Sequence, residues 1–224
     1  MKDMLGRAVR LLVDVPARML GSICDLLEKV SGKEGGEEWL AELKKFLLRK
    51  PCWTGEVVKT ILEFVGNVTV TLTAGEFIAK DNFVLNTGKN ARVKISYLGD
   101  NLKKYFLDKI ENFIGDGDVS LVYNKLKESS RDIPIISELG GEDQAETMLG
   151  VIFSLMSKQP NGEDGVLLSN GYANIFYVRD DVQVLWAVGV GWGGDGWRVN
   201  AYSVAGTNGW DGAYRVFSRN SSNA

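Results

Sequence analysis

The sequence predicts an α+β protein: N-terminal and central helices, then a C-terminal antiparallel β-meander of four to five strands. Three observations carry that expectation. Along residues 182–192 every even position is large and apolar: Val182, Val184, Trp186, Val188, Val190 and Trp192. The odd positions are Gln183, Leu185, Ala187, Gly189 and Gly191, so one face is bulky and the other nearly bare. That is the alternation of a half-buried strand, and its glycine face leaves room for a neighbouring backbone, a side chain or a ligand. Second, short Asp- and Gly-rich connections (Asp180-Asp181 and Gly193-Gly194-Asp195-Gly196) suit tight turns between antiparallel neighbours. Third, the chain ahead of this sheet carries apolar residues at helical spacing, such as Trp39, Leu40, Leu43, Phe46 and Leu47.

Taken in order, residues 1–30 read as helix interrupted at Pro16, with Leu20, Ile23, Leu27 and Val30 on one face of the second part. The first stretch packs on the core or on a partner protomer; an interfacial membrane helix is the alternative, since Lys2, Arg7, Arg10 and Arg18 accompany the apolar face. Glu37 and Glu38 open a second helix that runs to Arg49 and stops at Pro51. A helix over 54–64 follows, then a strand over 68–73 and short strands over 77–79, 83–85 and 92–97, forming a second small sheet. Residues 102–114 are helical by pattern, 119–127 lean towards helix, and 133–136 form an edge or irregular segment around Pro134. Ala145, Met148, Leu149, Ile152, Phe153 and Met156 stripe a helix over 142–158. Strands over 172–179, 182–192, 197–204 and 214–219 complete the chain, with 166–169 as a fifth candidate. The expected organisation is a helical segment over 1–50 and an α+β domain over 51–224, continuous or separate.

Composition narrows function by exclusion. The 224 residues carry 26 basic and 29 acidic side chains, a net charge of −3, so no nucleic-acid partner is expected. Histidine is absent, which removes Ser-His-Asp and Cys-His nucleophiles and histidine-ligated metals. Cys24 and Cys52 are too few for a disulfide framework or a four-ligand zinc site and read as reduced cytosolic thiols. No membrane span, metal or cofactor is expected.

The candidate chemistry is sparse. Glu138, Glu142, Asp143 and Glu146 suggest either a metal or acid–base site, or acids placed at helix N-termini by the dipole, the simpler reading. Asp116 with Asp118, and Asp180 with Asp181, lack a calcium-loop pattern and read as turn formers. The glycine loop 193–196 joins two strands and lacks the phosphate-loop lysine. Most of the interest lies in the C-terminal aromatics. Trp192, Trp197 and Trp210 lie at or near loops and, with Arg198 and Tyr202, form the candidate binding set, the alternative being that these aromatics simply fill the core; Trp186 belongs to the bulky face.

Segments 37–53, 93–101, 134–142, 161–180 and 214–221 resemble an uncharacterised family of hypothetical proteins from uncultivated candidate-phylum bacteria. The resemblance spans about 26–221, implies a bacterial, cytoplasmic protein, and brings no functional residues with it. The expected function is a non-enzymatic binding or interaction protein, engaging a protein partner or a second copy through the C-terminal sheet and its loop aromatics. The alternative is a histidine-free hydrolase or transferase using carboxylates with Arg or Lys.

Overall fold

The computed structural model describes residues 17–32, 36–49, 60–113, 117–207 and 209–219. The expectations for residues 1–16, for 54–59 and for Cys52 lie outside them. The chain divides into two units, Met1–Lys59 and Thr60–Ala224. In the first, helices α1 (Ala17–Ser31) and α2 (Gly36–Leu47) pair. The Lys29 ammonium sits 4.8 Å from the Trp39 ring centroid. No described helix is long and apolar enough to cross a membrane.

The second unit is built on β1 (Leu62–Leu72), β2 (Gly75–Ile78), α3 (Ala79–Asn82), β3 (Ile95–Leu98), α4 (Asp100–Phe106), β4 (Ile110–Phe113) and β5 (Gly117–Leu126). There follow α5 (Asp132–Glu138), α6 (Glu142–Ala145), α7 (Leu149–Ser157), β6 (Asn174–Arg179), β7 (Leu185–Trp192), β8 (Trp197–Ser203) and β9 (Arg215–Arg219). Among the described residues the class is therefore α+β, with seven helices. The sheet departs from the expected C-terminal meander of four to five strands: seven strands pair in the order β1-β5-β9-β6-β7-β8-β3, and β2 pairs with β4 separately. Only β6, β7 and β8 form a meander. β9 lies parallel to β6 and antiparallel to β5, and β3 lies parallel to β8. The periodicity of one strand marks its faces but not its partner, so these long-range pairings leave no local trace.

Strand β6 is central, and both of its faces are buried. Its side chains alternate between two cores. Phe176 and Val178 join Val188, Val190, Trp197, Val199 and Phe217 beneath α7. Ile175 and Tyr177 join Leu185, Ala187 and Val216 beneath Ile135 and Ile136 of α5 and Ala145 of α6. The sheet thus carries helices on both faces. Helix α7 is apolar all round because the β2–β4 ribbon covers its outer side: Phe77 lies 6.0 Å from Phe153, and a Cβ on Gly150 would stand 2.6 Å from the Phe113 ring. At its start, the buried Glu111 of β4 accepts the N–H groups of Leu149 (2.9 Å) and Gly150 (2.8 Å), two of the amides a helix leaves without internal partners.

Several elements differ from expectation. Residues 119–126 belong to strand β5, long-paired with β1, and are not helical. Residues 62–64 belong to β1 and are not helical. The expected helix over 102–114 ends at Phe106, and 110–113 turn back as β4 to pair with β2. Residues 83–85 form no strand. Residues 133–136 lie in α5, where Pro134 occupies the first turn and its missing N–H is not needed. The single helix expected over 142–158 breaks at Glu146, whose ψ of 133° lets it bridge Tyr177. The Thr147 amide and hydroxyl both donate to the Tyr177 carbonyl, at 2.6 and 3.0 Å, and hold the break. The β6–β7 connection is longer than a two-residue turn: Val182 is 77% exposed. Asp180 organises it, accepting the Val182 and Val184 amides and the Trp186 Nε1–H.

Candidate functional site

The bare face of β7 becomes the floor of a cleft. Gly189 and Gly191 point away from α7, and they differ in what stands over them. A Cβ on Gly189 would meet Trp210 Cη2 at 3.1 Å and Tyr202 Cε2 at 3.3 Å, so the indole fills that notch. A Cβ on Gly191 would meet only the Tyr172 carbonyl, at 3.8 Å. That floor is open. From β8 the alternation places Arg198, Asn200 and Tyr202 on the same face, and Ser96 and Tyr97 of β3 form the far wall. With Asp195 and Ala173 they enclose about 520 Å³, within the usual size of small-molecule sites. Arg198 is exposed, and its guanidinium stem rests on Gly193, where a Cβ would stand 2.3 Å from Nε.

A second cavity of about 300 Å³ adjoins the first and shares Ala173, Tyr202 and Trp210 with it. Its other walls are Asp132, Gly209 and Tyr214. Trp210 is fixed from both ends. Its backbone bridges Ser130 in both directions (3.0 and 2.8 Å), and its Nε1–H donates to Asp132 Oδ1 at 2.7 Å. Tyr177 donates its hydroxyl to the same oxygen at 3.0 Å. Burial pushes the Asp132 carboxyl above its ordinary value, against the two hydrogen bonds that favour its charge. Tyr177 is pushed up as well, by burial and then by Asp132, so it stays a donor. Tyr214 is pushed up by burial first and by Asp211 next.

Of the five residues expected to bind, Arg198, Tyr202 and Trp210 meet in the cleft. Trp192 and Trp197 do not. They pair in the β7–β8 register on the bulky face, with ring centroids 5.3 Å apart at 75°. Trp197 is fully buried and donates its Nε1–H to the Gln159 carbonyl at 2.9 Å. Trp192 lies against Gly162, where a Cβ would stand 2.2 Å from the indole. Proximity to a loop was the wrong guide, because the even-numbered alternation already assigned Trp192 to the core side. The same alternation, carried through β8, would have found Asn200 between Arg198 and Tyr202. Asp132, Ser96 and Tyr97 arrive from distant segments with no signal in the sequence.

The acidic cluster has other duties. Glu138 accepts the Ile61 and Leu62 amides at 2.8 and 3.0 Å. Glu142, Glu146 and Asp143 gather round the Arg179 guanidinium at 2.7, 3.3 and 3.8 Å, which raises the Arg179 pKa, chiefly through the Glu142 hydrogen bond. None of the four lines either cavity of the cleft. Among the described residues no group of three acids or thiols is placed to hold a metal ion. As Glu142 is half exposed, Glu142→Gln should cost less than about 1 kcal/mol in urea denaturation.

No family model has a significant match to this chain, and neither does any curated protein or solved structure.

Proposed function

We propose that this protein is a non-catalytic binding protein whose site is the cleft over Gly191, accepting a small organic ligand between Tyr97, Tyr202 and Trp210 with Arg198 at its edge. The supporting observation is the bare floor at Gly191 in a strand otherwise packed on both sides. A strand glycine weakens packing, and here the space it leaves is walled by aromatic and polar side chains rather than filled. The carboxylates of the enzymatic alternative are engaged as amide acceptors and ion pairs, which favours binding over turnover.

Gly191→Leu tests the reading. Gly191 needs no positive φ and a Cβ there meets no clash, so the leucine enters the cleft at a stability change within about 1 kcal/mol. In ligand-observed NMR with a fragment library, fragments that bind the wild type should lose at least about tenfold in affinity to the variant. Fragments that bind both proteins equally, or a library that yields none for the wild type, would contradict the proposal.

A further inference from the structure

The smaller cavity has a chemistry distinct from that of the cleft. Asp132, Tyr202, Trp210 and Tyr214 dominate its walls, and among the described residues no lysine or arginine lines it. Asp132 is only 3% exposed. Both of its protein hydrogen bonds, from Tyr177 and Trp210, fall on Oδ1; among the described residues neither a donor reaches Oδ2 nor a cation pairs with the carboxylate. Buried carboxylates are ordinarily paired with a cation or neutralised. The three rings beside it stand steeply to one another: Tyr202 and Trp210 at 89° with centroids 5.2 Å apart, Trp210 and Tyr214 at 65° and 6.2 Å. They pack edge to face on one another, and together they border the cavity beside the carboxylate, so an organic cation held there would meet both π-electron density and a negative charge.

We propose that this cavity is an ammonium site, an aromatic cage closed by Asp132 that takes the alkylated ammonium head group of a small ligand. The inference deepens the binding reading, because the cage shares Tyr202 and Trp210 with the cleft, yet it can be tested separately. The carboxylate supplies the charge, and the rings select a weakly hydrated, alkylated cation over a strongly hydrated one.

The probes are choline and its neutral isostere 3,3-dimethylbutan-1-ol, titrated against the full chain while the Trp210 indole N–H resonance is followed. Choline should give a saturable shift, and the isostere should bind at least about tenfold more weakly. Asp132→Asn keeps an oxygen for Trp210 and Tyr177 and should weaken choline by a similar factor; if that variant does not fold, the wild-type comparison still decides. Equal binding of the two probes, or no shift of Trp210 with choline, overturns the assignment. A trimethyllysine peptide titrated in parallel addresses the source of the head group: tighter binding of the peptide than of choline overturns assignment to a small ligand. Fragments that lose affinity in Gly191→Leu, with no preference for choline over its isostere, would leave the cleft standing and remove the cage. Choline binding without any cleft fragment would support the cage and remove the cleft.

Discussion

Trp197→Ala should lower the free energy of unfolding by about 3–5 kcal/mol, the usual cost of emptying a large buried aromatic position. The indole is fully buried beneath Trp192 and among Val190 and Val199, and its Nε1–H satisfies the Gln159 carbonyl. Gln159 in turn holds the Leu167 amide and carbonyl at 2.8 and 2.9 Å, so the loss should spread into the segment leading to β6. Urea denaturation reads this as a lower midpoint at an unchanged slope. Below its midpoint the variant should still bind cleft fragments, because Trp197 and the cleft lie on opposite faces. A loss below about 1 kcal/mol would place the indole at the surface and return it to the binding set.

Glu111→Ala should cost about 2–4 kcal/mol, because it strips acceptors from two buried amides at the start of α7. The pH dependence has a definite sign. Burial raises the Glu111 carboxyl above its ordinary value, opposed by the two amide bonds. The folded state therefore holds the proton more tightly than the unfolded chain. The stability contributed by that proton is fully present below the unfolded value of 4.5 and is lost as pH rises through the folded one. The advantage of wild type over Glu111→Gln should accordingly be larger at pH 4 than at pH 7. Denaturation series at the two pH values check it, and an advantage that grows with pH would reverse the reading.

The parts of this molecule written in local periodicity were legible in the sequence, and those written in long-range pairing were not. The two faces of β7 could be read directly, including the glycine face that floors the cleft. Helix α2 was readable from its apolar stripe and its acidic first turn. Strand β5 was misread because Val119, Leu121, Val122 and Tyr123 satisfy either period, and only pairing with β1 and β9 settles the matter. The break at Glu146 was hidden because the apolar stripe of α7 continues smoothly through Met148 and Ala145. A carbonyl of β6, which no helical pattern reveals, draws Thr147 out of the helix. In the site, Arg198 and Tyr202 followed from their position on β8. Asp132 was beyond reach, since it matters only once β6 and the Trp210 loop bring two donors to one of its oxygens.

Six tryptophan indoles give the most direct measurement of the central claim, that the glycine face is the binding face. In a ¹H–¹⁵N spectrum recorded with and without a cleft-binding fragment, the Trp210 Nε1–H should shift, identified by its disappearance in Trp210→Phe. The Trp197 Nε1–H, bonded to the Gln159 carbonyl on the opposite face, should stay in place. Movement of Trp192 and Trp197 with Trp210 unmoved would put the ligand on the other side of the sheet and contradict the account.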